Sequence, residues 1–260
     1  MMGGFVITLP ASRLRQIVAF LSKGVEQALI EITPDGILKS EVVDTSHVLM
    51  MSIEVPLSKG TNYALSGAVV DPPGESGKVL VSLERLRGAI KYFADDDQVS
   101  LIFKGSGRDL LVESGAKKRT LHLDDLSEAP KIRIPILKFP ARVTVRTQDF
   151  VTALKMVGEV DDHVLLEIHR DAASKAGELR VLSTPSQEEK VDAAIGLLGL
   201  EATKPVVKSA YPLDYLSALF GDFSPEAVTL QMDDEYVLRV DFSLADGHAY
   251  ALLAPRIGND

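Results

Sequence analysis

Residues 121–140, Leu-His-Leu-Asp-Asp-Leu-Ser-Glu-Ala-Pro-Lys-Ile-Arg-Ile-Pro-Ile-Leu-Lys-Phe-Pro, carry prolines at 130, 135 and 140. A proline ring fixes φ and removes an amide donor, so this stretch suits neither a helix nor a central strand. It reads as an extended connector that divides the chain near its middle. Leu126, Ile132, Ile134 and Ile136 are large apolar side chains in a segment too short to bury them in a core of its own. They must lie against something, either the flanking domains or a partner.

The chain has 260 residues, 46% of them hydrophobic, enough for two domains that each enclose a core. No apolar run reaches transmembrane length, and the amino terminus lacks the pattern of a signal peptide, so the chain is expected to stay where it is made. Zero cysteines exclude disulfides, thiolate metal sites and cysteine nucleophiles, and fit an intracellular setting. A net charge of -9 argues against coating nucleic acid over the whole surface, while a local basic face stays compatible with it.

Phe5 to Leu9 alternates as a strand, and Leu14, Ile17, Val18, Leu21 and Val25 then recur at helical spacing. Ala28–Thr33 and Gly36–Val43 read as strands joined through Pro34-Asp35-Gly36, and His47–Val55 as another. Residues 69–78 read as a loop; Leu83, Leu86, Ile90 and Phe93 mark a second helix. Strands follow at Gln98–Phe103, Asp109–Glu113 and Lys118–Leu123. After the connector the order recurs, with a strand at Arg142–Arg146, a helix from Thr147 and strands from His163. Val81 to Ile90 before Val99-Ser100-Leu101 matches Ala210 to Leu219 before Val228-Thr229-Leu230 in order and spacing. The expected fold class is α+β, with two similar domains, 1–120 and 141–260, each carrying antiparallel strands and two helices around the connector 121–140. Joined edge to edge, the halves would form one long sheet with four helices on a single side.

Projection of the helices puts Lys23, Gln16 and Ser12 outward on the first, with Arg13 and Arg15 on its flanks, and Arg85, Gly88 and Lys91 outward on the second. The third exposes Gln148, Thr152 and Lys155 after Arg146, and the fourth shows Asp214 and no basic residue. The candidate DNA contacts are therefore Arg13, Arg15, Lys23, Arg85, Lys91, Arg146 and Lys155. No aromatics interleave with them, which points to phosphate contact with a duplex rather than stacking on single strands. Gly74 to Val79 fails as a phosphate loop, because Val79 stands where a magnesium-binding Ser or Thr is needed. Asp161-Asp162-His163 is the one run with metal-ligand chemistry; adjacent residues at a strand entry point in different directions, which favours a solvated turn.

Four segments carry a family resemblance: Asp44-Thr45-Ser46-His47-Val48, Ile132-Arg133-Ile134-Pro135, Tyr211-Pro212-Leu213-Asp214-Tyr215-Leu216 and Leu253-Ala254-Pro255-Arg256-Ile257. Together, over the whole length, they resemble the archaeal form of the DNA sliding clamp, proliferating cell nuclear antigen (PCNA). The resemblance implies the DNA-clamp fold, a ring of three identical or different subunits around duplex DNA held without sequence specificity, no cofactor, no catalysis and no membrane. It implies a cytoplasmic, nucleoid-associated processivity factor whose partners are DNA polymerase, flap endonuclease, DNA ligase and the clamp loader. Carried over by matching position, the partner pocket would use Val43, His47, Val48 and Met50, with Leu126, Ile132, Ile134 and Pro135 from the connector and Ala254, Pro255 and Ile257 from the tail. Val237 stands where the family often has a proline at the pocket edge.

Two strands complement each other as a subunit interface. Lys117, Lys118 and Arg119 lead into Leu121 on one, while Glu188, Glu189 and Asp192 accompany Val191, Ala193 and Ile195 on the other. The rival readings are a two-domain metal-dependent enzyme using Asp161, Asp162 and His163, and a monomeric adaptor that binds peptides without encircling DNA.

Overall fold

Period-two alternation turns into paired strand almost wherever the sequence carries it. The computed structural model describes residues 4–57, 63–64, 77–105, 107–134, 136–171, 176–184, 188–221 and 224–256. In the first half β1 (Phe5–Pro10) leads into α1 (Ala11–Leu21), then β2 (Gln27–Ile32), β3 (Ile37–Val43), β4 (Leu49–Pro56) and β5 (Tyr63–Ala64). β6 (Gly77–Ser82) enters α2 (Leu83–Ile90), followed by β7 (Gln98–Phe103), β8 (Asp109–Ser114) and β9 (Lys117–His122). The second half repeats the order: β10 (Ala141–Arg146), α3 (Thr147–Gly158), β11 (His163–Arg170), β12 (Gly177–Leu182), β13 (Asp192–Ile195) and β14 (Leu197–Ala202). It closes with β15 (Val206–Pro212), α4 (Leu213–Ala218), β16 (Ala227–Met232), β17 (Leu238–Leu244) and β18 (Gly247–Leu253). The loop expected over 69–78 falls outside the described residues except for Gly77 and Lys78, which open β6.

The chain divides into two compact units. The first holds Met1–Thr45, Met51–Arg133 and Ser243–Ala249; the second holds Ser46–Met50, Ile134–Phe242 and Tyr250–Asp260. Within the first, antiparallel neighbours run β5-β1-β7-β8-β9 in one sheet and β4-β3-β2-β6 in another. Within the second they run β13-β12-β11-β15 and β14-β10-β16-β17. A single sheet per half is therefore not what forms: each unit shares its short strands between two sheets, which lets each strand bury one face. Phe5, Ile7 and Leu9 of β1 point inward with Leu14, Ile17 and Leu21 of α1, all fully buried. Val143, Val145, Phe150, Leu154 and Val157 do the same in the second unit. Burying each such side chain contributes about 1.5 to 3 kcal/mol.

The repeat extends to the joints. The first helical amide of α1, Ala11 N–H, donates to Asp97 O at 2.9 Å, and that of α3, Thr147 N–H, donates to Glu226 O at 3.1 Å. In each half the acceptor immediately precedes the strand paired with the one that feeds the helix, β7 in the first and β16 in the second. The turn at Pro34-Asp35-Gly36 forms with Gly36 at φ 76°, in the region only glycine enters freely.

Two expectations change. The stripe ending in Val25 is cut short: α1 stops at Leu21, and the Ser22 hydroxyl donates to Val18 O at 2.6 Å. Gly24 follows, where the end of the Met51 side chain lies 2.9 Å from where a Cβ would stand. The strand expected from His47 starts at Leu49, since His47 adopts φ 56° in the turn before it.

The tip of the β17–β18 hairpin, Ala245-Asp246, has φ 51° and 57°, the two-residue turn whose twist matches that of the strands. It is held onto α1. The Arg13 guanidinium donates from Nε and Nη2 to Ala245 O at 3.0 and 2.7 Å, and its Nε lies 3.4 Å from the Asp246 carboxylate. Gln16 Oε1 accepts from Ala245 N–H at 3.1 Å. Arg13 is 9% exposed, so its place on the helix flank as a DNA contact is corrected: it is an internal clamp on a turn 232 residues away. Replacing it with Met leaves Ala245 O without its charged donors, and urea unfolding should report a loss of about 1.5 to 3 kcal/mol with unchanged affinity for duplex DNA. A stable Arg13→Met protein with weakened DNA binding would return Arg13 to the surface role.

Candidate partner groove and nucleic-acid interface

The connector is pinned at both ends, at its close by Thr203 N–H donating to Pro140 O at 2.8 Å, and is largely irregular between them. Asp124 N–H donates to Leu80 O of β6 at 3.0 Å, and Arg85 donates to the Asp124 carboxylate at 2.6 Å. Asp125 caps a 3-10 turn, Leu126–Glu128, accepting from the Ser127 amide at 2.9 Å and its hydroxyl at 2.8 Å. Those bonds hold the Asp125 carboxyl below the ordinary carboxylate range. From Ala129 to Ile134 the chain has no regular structure. Between it and the outer face of β2 and β3 lies a cavity of about 440 Å³, open to solvent. Leu126, Ala129, Pro130 and Ile132 form its roof, and Leu29, Ser40 and Glu41 lie on its floor.

Of the four apolar connector residues, Leu126 and Ile132 line this groove and are half-buried. Ile134 is 42% and Ile136 95% exposed, so of the two alternatives the sequence left open, packing of all four against their own chain is not what forms. Pro135 lies outside the described residues. Val43 is half-buried at the end of β3, in the same unit as the groove. In the second unit, Val48 O accepts from Ala254 N–H at 2.9 Å, joining the Ser-His-Val segment to the tail. Beside that bond His47 is exposed, Met50 is buried, and Pro255 is half-buried. Ile257 lies outside the described residues. Arg256 N–H donates to Ala210 O at 2.8 Å, fixing the last described turn of the tail. The groove residues Leu29, Lys39 and Glu41 are absent from the motif-based set; the alternation of β3, with Lys39 and Glu41 on its outward face, is the signal that could have marked them.

The helices present less positive charge than projection suggests. Arg15 donates to Ile90 O and Phe93 O at 3.2 and 3.1 Å and pairs with Asp95. Arg85, expected outward, folds back onto His122 O at 2.7 Å and Asp124. Arg87, which the projection did not single out, is exposed on α2. Arg146 is exposed and pairs with Asp149 at 2.9 Å, and Lys23 is half-buried. Lys91 is exposed, its ammonium 4.5 Å from the Tyr92 ring centre. Lys155 is exposed on α3, and Asp214 is exposed on α4.

Both candidate interface strands lie at sheet edges, β9 in the first unit and β13 in the second. Leu121 and Ile195 point inward, 3% and 5% exposed, while Lys117, Lys118 and Arg119 are exposed. The cations already have partners within the chain: Lys117 donates to Tyr92 O at 3.3 Å, Lys118 pairs with Glu113 at 3.0 Å, and Arg119 donates to Gly88 O at 2.9 Å. Glu188 and Glu189 are exposed ahead of β13, and Val191 and Ala193 are half-buried. Asp192 pairs with Arg180 of β12, a neutralisation that sequence order did not reveal.

Asp161, Asp162 and His163 bring one potential ligand atom each within 4.8 Å of one another, so their side chains converge rather than diverge as expected. Their chemistry is nonetheless spoken for. Asp161 is 8% exposed and accepts from the Thr184 amide at 2.7 Å, the Thr184 hydroxyl at 2.6 Å and the His163 amide at 3.0 Å. Burial pushes its carboxyl up, but these donors hold it below the ordinary carboxylate range. An Arg256 guanidinium nitrogen lies 2.9 Å from His163 Nδ1, where a cation would have to bind beside a fixed positive charge. This donor set does not suit a catalytic metal.

Two units of antiparallel sheets, each repeating strand, helix and strands twice, define the DNA-clamp fold. Solved clamps share it across the chain: PCNA of A. fulgidus, solved with the C-terminal region of FEN-1 bound, has a TM-score of 0.83 at 21% identity, covering 98% of this chain and 100% of that one. PCNA of Thermococcus kodakaraensis has a TM-score of 0.81 at 22% identity, covering 97% and 100%. In sequence the chain is similar along its length to archaeal DNA polymerase sliding clamps. That of Methanococcoides burtonii is 26% identical over 264 residues, covering 98% of this chain and 100% of the relative, and that of Methanococcus vannielii is 24% identical over 259 residues, covering 97% and 99%. No family model matches the chain. The resemblance drawn from the four motifs is thereby borne out.

Asp161 yields a stability prediction. Its folded carboxyl is depressed, so its contribution is present above the ordinary value of 3.8 and is lost as pH falls through and below it. Asp161→Ala should cost about 2 to 4 kcal/mol at pH 7, because Thr184 loses its acceptor in a buried site, and the gap to wild type should narrow near pH 3. Urea titrations at both pH values measure it; an unchanged gap would mean that the carboxylate charge carries no stability.

Proposed function

We propose that this chain is a non-enzymatic subunit of a sliding clamp, which closes head to tail into a three-membered ring around duplex DNA and tethers replication and repair proteins to it. Residues 1–120 and 141–260 are its two clamp domains, and 121–140 its connector. Similarity to DNA polymerase sliding clamps over nearly the whole chain supports the reading, and so does the fold shared with PCNA. The observation that carries it is the pair of unpaired edges, a basic β9 and a β13 preceded by acidic residues, on different units. An open edge is a template for another strand, and opposite charge favours joining one subunit's β9 to the next subunit's β13 over pairing like with like.

Exposed Lys91, Arg146 and Lys155, together with Arg87, are the side chains available to phosphate. Contacts to phosphate hold a duplex without reading its sequence, and few of them leave a ring free to slide. The connector groove and the exposed Ile134 and Ile136 suit an extended partner segment with aliphatic and aromatic anchors. DNA polymerase, flap endonuclease, DNA ligase and clamp loader are the partners this reading assigns. No helix among the described residues is long and apolar enough to cross a membrane, and the reading assigns the protein to the cytoplasm, with the nucleoid.

The test is assembly. Reversing Lys117, Lys118 and Arg119 to Glu should convert the native mass from that of a trimer to that of a monomer, while the circular dichroism stays that of the folded chain. An intact trimer would move the interface away from β9.

A further inference from the structure

The connector groove contains a carboxylate that no group among the described residues neutralises by direct pairing. On the outward face of β3, Lys39 pairs with Glu54 at 2.9 Å, and across the floor Glu31 pairs with Lys78 at 3.2 Å. Glu41, next on the same face, makes no ion pair or hydrogen bond among the described residues and is half-buried under the connector. The charges that bear on it are Lys39, which is already engaged, and the like-charged Glu54 and Glu31. Lys131 lines the rim from the connector, but its side chain is exposed and does not bear on Glu41. Burial, reinforced by Glu54 and Glu31 against Lys39, raises the Glu41 carboxyl above its ordinary value. Beside it Ser40, 2% exposed, keeps a hydroxyl oxygen with no hydrogen-bond partner among the described residues.

A half-buried carboxylate at the floor of an open groove, under an apolar roof and beside Glu31 and Lys39 that are already paired, suits a cation brought by whatever fills the groove. We infer that Glu41 is a specificity-determining residue of the connector groove, selecting partner segments that carry a Lys or Arg beside their apolar anchors. The inference rests on the proposal that the groove receives partner peptides and names the chemistry of the peptide it takes. A segment with anchors alone would fill the apolar roof but leave the carboxylate unpaired; one with an acidic residue there would meet Glu41 and Glu31 together. The sign of the pH dependence follows: the cation pairs with the ionised carboxylate, so the preference is present above the raised Glu41 value and fades as pH falls through it. Glu31, Lys39, Glu54, Lys78 and Lys131, the other charged groups around the groove, are present in both arms of the comparison below.

The probes are two synthetic peptides with the same aliphatic and paired aromatic anchors, identical except that lysines flanking the anchors in one are norleucine in the other. Each is titrated calorimetrically into wild-type protein and into Glu41→Gln protein of equal melting temperature and native mass. Wild type should bind the lysine peptide about five- to tenfold more tightly than the norleucine peptide, and Glu41→Gln should reduce that preference to within twofold. The norleucine peptide should bind both proteins alike. An equal lysine preference in both proteins would overturn the role of Glu41 while leaving the groove as a peptide site. Failure of both peptides to bind wild type would overturn the groove reading and this inference with it. Because the decisive change is made in the peptide, altered folding of the variant cannot mimic the expected result.

Discussion

Backbone amides and carbonyls at a sheet edge must find partners in the chain, in water or in another molecule, and β9 and β13, each the last strand of its sheet, are left to the last two choices. Both are short and turn an apolar residue inward, Leu121 and Ile195, so each is committed to its own sheet on one face and open along its edge. Charged side chains on β9 and ahead of β13 keep like edges apart, and their opposite signs give unlike edges a reason to meet. On this account the ring is a consequence of how each unit ends. A subunit whose two open edges differ in charge associates head to tail, and head-to-tail association that closes on itself makes a ring instead of a filament.

The charge distribution follows the same economy. With a net charge of -9, the molecule assigns several arginines to holding itself together: Arg13 to the β17–β18 turn, Arg15 to the end of α2, Arg85 to the start of the connector, Arg180 to Asp192. Each of those guanidiniums donates to carbonyls or a carboxylate on another element, a geometry that a forked donor satisfies better than an ammonium. On and beside the described helices few cations are left exposed, Arg87, Lys91, Arg146 and Lys155, which suits the proposed sliding along phosphate without gripping it. The connector groove inverts this pattern, for there Glu41 makes no ion pair or hydrogen bond among the described residues.

Local signals in the sequence read well because they depend on near neighbours. The alternation of β1, the Thr147 helix with Phe150, Leu154 and Val157 inward, and the glycine turn at Gly36 all follow from spacing and backbone sterics. The repeat of element order was legible for the same reason. What escaped was tertiary. Arg13 looks like any flank residue until Ala245, far along the chain, takes its hydrogen bonds; Arg85 looks outward until Asp124 draws it back. Val25 continues the helical spacing, yet the chain turns at Gly24, beside the Met51 side chain. In the site, the motifs located the connector; the alternation of β3 puts Glu41 on an outward face, but that this face lies beneath the connector is a tertiary fact.

Encirclement, the central claim, is tested by topology. After loader treatment with covalently closed circular DNA, the protein should remain on the circle through a wash at salt high enough to abolish phosphate binding. It should then leave when a single restriction cut makes the circle linear. Equal retention on the circle and on its linear product would contradict the account, because a protein that grips DNA directly has no reason to respond to a free end.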